Sequence, residues 1–297
     1  MALHEMLLQQ LLLLLGLIIL AATEASQPNS NCERSCGTVS IPYPFGTEEG
    51  CYHDESFLIT CNKTKSGTLK PFLRHGNIPV LNISLDGELR VSSPIARACY
   101  NDSGILVDDT DVGLTLTKFA VSSTKNKFTA IGCDVVGIIR GSGGRDYGTG
   151  CLSLCRSVDS VENGSCAGIG CCQTPIPTGV TDFTVALTIL KNYSTILDIN
   201  PCNFGFVVEE NEFNFSSSEL KNLMSRETVP VVLDWAVGNE TCEDAKRNST
   251  SYACIAKNST CYASNNGGGY RCNCPSGFEG NPYLVDGCKG TNIYLIY

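Results

Sequence analysis

Eighteen of the 297 residues are cysteine. Thiols at that density can bind zinc, carry redox chemistry or close disulfides. A structural zinc site needs closely spaced Cys or His ligands in pairs. This chain has no C-x2-C…C-x2-C pair and only three histidines, His4, His53 and His75. An even number of cysteines, with none before Cys32, fits oxidised staples formed in an extracellular compartment. Catalytic groupings are absent from the pattern. A Ser–His–Asp set would have to use His53 or His75, and no Gly-x-Ser-x-Gly elbow accompanies them. The adjacent acids Glu48-Glu49, Asp108-Asp109 and Glu209-Glu210 lie in polar stretches, where carboxylates are ordinarily solvated. The run Gly141–Gly144 lacks the Gly-Lys-Ser/Thr ending of a phosphate loop. The residues therefore predict a non-enzyme with no metal and no cofactor.

Charge offers a different chemistry. The net charge of −9 excludes nucleic acid as a partner, because phosphate binding needs a basic face. The charge is unevenly spread, however. Ser56 to Leu85 contains no acid but has Lys63, Lys65, Lys70 and Arg74; Val112 to Cys133 again has no acid but has Lys118, Lys125 and Lys127. Local basic patches can exist on an acidic protein, and Arg in particular pairs with carboxylates in a bidentate fork. Lys63, Lys65, Lys70 and Arg74 are the candidate ligand-binding cations. Tyr43, Phe45 and Tyr52 lie nearby in sequence, either as stacking platforms for a ring-shaped ligand or as core beneath the chain.

The elements that position these groups read as β. In Ile41-Pro42-Tyr43-Pro44-Phe45-Gly46, each Pro fixes its own φ and pushes its predecessor toward β or polyproline II. That stretch predicts a stiff surface ribbon. Phe57–Thr60 reads as a strand. Leu81–Leu85 and Leu89–Val91 flank Asp86-Gly87, a strong hairpin signal, with Leu81, Ile83 and Leu85 inward and Asn82 and Ser84 in water. Leu114–Val121, Phe128–Ile131, Phe183–Leu190 and Phe204–Val208 are further strands. Ser216-x-x-Glu219 is a capping box before a helix carrying Leu220, Leu223 and Met224. Val229–Trp235 closes the series, with Pro230 predicting an edge or a strand start. Adjacent Cys171 and Cys172 predict two different partners.

Leu11–Ala22 is an apolar run of twelve, too short to span a bilayer, which needs about 20 residues. With the small residues after it, residues 1–25 read as a signal peptide. Nine Asn-x-Ser/Thr sequons, at Asn62, Asn82, Asn101, Asn163, Asn192, Asn214, Asn239, Asn248 and Asn258, predict surface glycan acceptors in a secreted protein.

The run C-x3-C-G-x-V-x-I-P-Y-P-F-G-x3-G-C-x9-C from Cys32 to Cys61 resembles the galacturonan-binding domain of plant wall-associated receptor kinases. The same family is echoed at Gly170–Pro177, Asn200-Pro201-Cys202 and Val231–Trp235. Cys242–Cys288 resembles the family's first EGF-like repeat through Tyr270–Cys274 and Gly280–Leu284. The resemblance implies the pairs Cys242–Cys261, Cys254–Cys272 and Cys274–Cys288. It leaves open the pairing of Cys32, Cys36, Cys51, Cys61, Cys99, Cys133, Cys151, Cys155, Cys166, Cys171, Cys172 and Cys202. Gly238–Thr241, before the first cysteine of the module, lacks an Asp-x-Asp-Glu arrangement, so no calcium is expected there. The expected organisation is mostly β and disulfide-rich: residues 26–111 as the galacturonan-binding domain, 112–237 as a second β-rich unit, 238–288 as the EGF-like domain and 289–297 as an atypical tail of a truncated product. The resemblance implies a secreted, cell-wall protein that binds pectin (homogalacturonan or oligogalacturonides). The alternative is a soluble interaction ectodomain that pairs with a receptor kinase or an extracellular peptide.

Overall fold

The computed structural model describes residue 28 and residues 31–141, 147–190, 196–248 and 251–291. The signal segment, most of the Gly141–Gly144 run, Asn192 and the last six residues of the tail lie outside them. The fold is mostly antiparallel strand. One sheet runs in the order Ala120–Val121, Thr228–Asp234, Glu88–Pro94, Val80–Ile83. A second runs Cys171–Pro175, Asn126–Ile131, Cys202–Glu209, Ala96–Tyr100, Leu106–Thr110. A third runs Gly148–Ser153, Val135–Arg140, Asp182–Ile189, Val112–Thr115.

These sheets draw strands from both sides of position 111. Thr228–Asp234 pairs along its whole length with Glu88–Pro94. Cys202–Glu209 pairs with Ala96–Tyr100, and the Cys99–Cys202 disulfide staples that pair. The sequence shows a β-rich stretch on each side of 111/112, but the hydrogen bonds make one interleaved body of them.

The strand Cys202–Glu209 shows why. Only its last residue is not buried. Its alternate side chains face two cores: Val207 joins the cluster holding Leu89, Val91, Val231 and Leu233, whereas Phe204, Phe206 and Val208 join the one holding Ile131, Leu220 and Leu223. A strand covered on both faces must read as a continuous apolar run. Gly205 is required there, since a Cβ would come within 2.8 Å of both Leu187 and Val185 on the facing sheet.

Several sequence expectations change in the fold. The Asp86-Gly87 hairpin forms, with Gly87 at φ 94°. Its register slips between Val80 and Asn82, though, and such a bulge breaks the alternation. Leu81 consequently faces solvent, and Val80 and Ile83 are the buried pair. Phe57 lies in a 3-10 turn, Glu55–Phe57, and the strand begins at Ile59. The Leu114–Val121 stretch is two strands in different sheets. The helix is a single turn, Glu219–Asn222, continued by a 3-10 turn over Leu223–Ser225; the Ser216 hydroxyl accepts from the Ser218 N–H at 3.4 Å, and Met224 is exposed. Pro230 sits in an inner strand, yet the neighbour Ala120–Val121 reaches only Leu233 and Asp234. Pro230 therefore pairs on one side alone, where its missing N–H costs nothing.

All eighteen cysteines are paired. Cys32–Cys51 and Cys36–Cys61 close the N-terminal ribbon. Cys133–Cys155, Cys151–Cys172 and Cys166–Cys171 staple the middle of the chain, with Cys171 and Cys172 going to different partners. The C-terminal module carries Cys242–Cys261, Cys254–Cys272 and Cys274–Cys288. That module is bonded into the β body. Buried Asn266 donates to the Val121 carbonyl (2.9 Å) and to Asp234 Oδ2 (2.7 Å), and accepts from the Gly179 N–H (2.6 Å). Arg271 donates to the Trp235 carbonyl at 2.7 Å, and Asn281 to the Tyr43 carbonyl at 2.6 Å. Removing one partner of a buried hydrogen bond strands the other. Asn266→Ala is therefore expected to cost about 1–3 kcal/mol in denaturant unfolding, and an unchanged midpoint would show that the module is not held to the body by this residue.

Candidate functional site

The ribbon Ile41–Gly46 is the first element to place. It is not a surface ribbon. Its aromatic residues turn inward, Tyr43 at 7% and Phe45 at 1% exposure, so neither can stack on a ligand. Phe45 packs against Phe57, Phe119 and Trp235 at ring-centroid distances of 5.0, 6.2 and 5.4 Å. Two aromatic rings on an apolar ribbon gain more by burial than by exposure, and the folded chain supplies their partners. Tyr52 is half-buried against the same core. Of the three aromatic candidates, Tyr43 and Phe45 are buried and Tyr52 is half-buried.

Beside this core, His53 sits between the Tyr43 and Phe57 rings, at centroid distances of 6.4 and 6.0 Å, with Nδ1 3.4 Å from the Tyr43 hydroxyl. Burial lowers its pKa; the neighbouring Asp54 carboxylate pulls it up and the Lys118 ammonium pushes it down. Burial alone would raise the Asp54 pKa, but the hydrogen bond from Lys118 (2.9 Å) and those from Ser56 hold it below its usual value.

The candidate cations lie on the next element, the hairpin Ile59–Lys63/Leu69–Leu73. Its sequence fits a two-faced strand pair. Ile59, Pro71 and Leu73 are buried, whereas Thr60, Asn62, Lys70 and Phe72 lie on the other face. Lys70 stands directly opposite Asn62, with its ammonium 5.9 Å from the Phe72 ring centroid. Lys63 pairs with Leu69 and so points to the opposite face from Lys70. Lys65 is in the connecting turn. Arg74 follows the second strand at the far end, where its Nη1 donates to Thr117 Oγ1 at 2.9 Å. The fold brings the four cations to one hairpin but not to one face.

They differ from the lysines of the other acid-free stretch in having, among the described residues, no ion-pair partner. Lys118 pairs with Asp54, Lys125 with Glu88 and Lys127 with Glu210, at 2.9, 3.0 and 2.6 Å. Arg90 meets Glu209 and Glu212; Arg97 meets Asp108. The acid-free stretch 112–133 is thus neutralised in three dimensions. Among the described residues, no carboxylate lies within ion-pair reach of Lys63, Lys65, Lys70 or Arg74. A cavity of about 220 Å³ opens beside Arg74, between Leu73–Ile78 and Thr115–Phe119. Thr117 and Leu116 in its wall escape sequence reasoning, because nothing local ties them to Arg74, 43 residues away for Thr117. A wider cleft of about 1020 Å³ at the C-terminal module mixes Arg34 and Lys289 with Glu279 and Asp286.

The eight described sequon asparagines are all exposed. Asn101 folds its side chain back onto the Ser103 and Ile105 N–H groups, and Asn163 accepts from the Ser217 N–H at 2.7 Å. Among the described residues no group of three or more His, Cys, Asp or Glu side chains is placed to hold a metal, and no helix is long and apolar enough to cross a membrane.

Staples throughout, a small cysteine module set into the sheets and a basic hairpin without ion pairs define a disulfide-rich, mostly β domain. Comparison with known proteins carries this further. A family model described as wall-associated receptor kinase galacturonan-binding matches residues 32–93, and one described as wall-associated kinase matches residues 163–243. Wall-associated receptor kinase 2 of Arabidopsis thaliana is 42% identical over 289 residues, which cover 96% of this chain and 38% of that relative. Wall-associated receptor kinase 1 of the same plant is 39% identical over 271 residues, covering 90% of this chain and 35% of that relative. Wall-associated receptor kinase-like 6 is 28% identical over 288 residues, 88% of this chain and 44% of that relative. No solved structure matches. The chain belongs to the wall-associated receptor kinase family and spans less than half the length of these curated relatives.

The half-buried His53 generates a pH prediction. The folded-state pKa of His53 lies below its unfolded value of 6.5. The unfolded chain therefore binds the proton first as pH falls. Stability from the neutral ring is present above the unfolded pKa and is lost as pH drops through it. His53→Asn should flatten the stability-versus-pH curve between about pH 7 and pH 5, measured by urea midpoints; an unaltered slope would remove His53 from the acid response.

Proposed function

We propose that this chain is the galacturonan-binding part of a cell-wall-facing protein, that it holds de-esterified pectin through charge, and that it performs no catalysis. The observation that carries the reading is the set of uncompensated cations on the hairpin after Cys61. Every charged partner that could neutralise Lys63, Lys65, Lys70 and Arg74 is elsewhere, whereas Lys118, Lys125 and Lys127 are each neutralised. A polyanion with a carboxylate on every sugar can reach Lys63, Lys65 and Lys70 on both faces of a narrow hairpin by lying across its tip, and Arg74 by running along it. The galacturonan-binding family model covers this hairpin, and the resulting charge-assisted contacts are the strong kind.

A second reading, a protein partner, has one observation in its favour. The edge strand Leu106–Thr110 and its preceding turn expose Ile105 and Val107 at 61% each and Leu106 at 44%. An exposed apolar edge can accept another chain's strand.

Retention on immobilised de-esterified homogalacturonan separates the two. Replacing Lys63, Lys65, Lys70 and Arg74 together by Glu should reduce retention at least tenfold, since four exposed charge contacts at about 0.2–1 kcal/mol each reach that range. Lys125→Gln with Lys127→Gln, whose ammonium groups are already paired, should change it little. Equal retention by the charge-reversed protein would remove the hairpin from the binding surface and favour the protein partner.

A further inference from the structure

We infer that the cavity beside Arg74 is a subsite for a single uronate residue, with the Arg74 guanidinium taking the sugar's carboxylate. The inference rests on the galacturonan reading and deepens it, because it assigns recognition of the individual sugar to a place distinct from the lysines.

Arg74 is built into the fold as few exposed arginines are. Its backbone is in the left-handed region, φ 55°, which non-glycine residues seldom occupy and which persists only where the surroundings impose it. Here they do. The Arg74 N–H donates to the Leu58 carbonyl at 2.7 Å, and its own carbonyl accepts from the Thr60 hydroxyl. The side chain is fixed as well, with Nη1 on Thr117 Oγ1 at 2.9 Å. A guanidinium has five N–H donors in a rigid fork. Among the described residues, Thr117 is the one acceptor that this fork meets. Arg74 is exposed and its Nη1 is held by Thr117, so a carboxylate would bind with less loss of side-chain freedom than at an unheld arginine.

The cavity supplies the rest of the recognition. Its floor is apolar: Leu73, Leu116 and Phe119 are 3%, 4% and 2% exposed, and Ile78 completes it. The polar side chains of the lining are Arg74, His75, Thr115 and Thr117. A pyranose has the matching shape, with a C–H face for the floor and hydroxyls and a carboxylate for those side chains. The volume of about 220 Å³ falls below the roughly 300–1,000 Å³ of pockets for drug-sized ligands, which suits one sugar ring and not a chain. Leu73 and Phe119 are anchored from behind by the sheets and the aromatic cluster, so the floor is rigid. The three lysines lie away from this cavity, toward the tip of the hairpin, and would contact neighbouring residues of a longer ligand.

The test uses the whole secreted protein, with disulfides intact, and two probes: methyl galacturonoside as the free acid, and the same sugar as its neutral methyl ester. Binding is followed by saturation-transfer NMR with titration. The wild type should bind the acid at least about tenfold more tightly than the ester, the equivalent of one good charge-assisted contact. Arg74→Gln should lose that preference. Thr117→Val, which leaves the charge and backbone in place, should weaken acid binding a few-fold. Lys63→Gln/Lys65→Gln/Lys70→Gln should leave the monouronide bound while weakening retention of the polymer. Equal binding of acid and ester, wild-type affinity in Arg74→Gln, or no monouronide binding by a protein that retains the polymer would each overturn the subsite and leave the galacturonan reading standing. Failure of the wild type to hold the polymer at all would defeat that reading with it.

Discussion

Trp235 is the chain's one tryptophan, and the fold is assembled on it. Its ring meets Phe45, Phe57 and Tyr283 at centroid distances of 5.4, 5.9 and 5.7 Å, and its Nε1 donates to the Ser84 carbonyl at 3.1 Å. Those residues come from the N-terminal ribbon, the turn that follows it, the Asp86-Gly87 hairpin and the C-terminal cysteine module. Each edge-to-face pair adds about 0.5–1.5 kcal/mol beyond the area it buries, and none of these segments could bury its ring alone. The disulfides are local by comparison. Apart from Cys99–Cys202, each closes a loop of 25 residues or fewer. The staples make the pieces, and the aromatic cluster holds the pieces together.

That division bears on binding. A hairpin with Ile59, Pro71 and Leu73 buried beneath it cannot shift without opening the core, so Lys63, Lys65, Lys70 and Arg74 are presented from a fixed base. The net charge of −9 is unevenly placed around them: Asp54, Glu88, Glu209, Glu210 and Glu212 each hold another cation, and none pairs with the hairpin. An acidic protein can therefore offer a basic face to a polyanion.

How far the sequence reaches depends on the range of each interaction. The Asp86-Gly87 turn, the strands 182–189 and 202–209 and the mostly β, disulfide-rich character rest on local signals and are visible in the residue pattern. The ribbon Ile41–Gly46 is stiff in the sequence for the reason it is stiff in the fold, but its burial depends on Phe119 and Trp235, which lie 74 and 190 positions on from Phe45. The lysines show the same limit. Two acid-free stretches look equivalent when read along the chain; only folding brings Asp54, Glu88 and Glu210 to one of them and leaves the other bare. Leu81 was misplaced by a one-residue bulge, which the hydrophobic pattern does not encode. The wall of the Arg74 cavity is assembled from two segments about 40 residues apart.

The central claim is that an acidic, stapled domain reads the carboxylates of pectin with unpaired cations. The most direct measurement is the affinity of the disulfide-bonded protein for homogalacturonan across a salt series, run in parallel on de-esterified and fully methyl-esterified polymer. The account predicts binding to the de-esterified polymer that weakens steadily as salt rises, because exposed ion pairs are screened, and little binding to the ester at any salt. Binding that ignores salt, or that is equal for the two polymers, would contradict it.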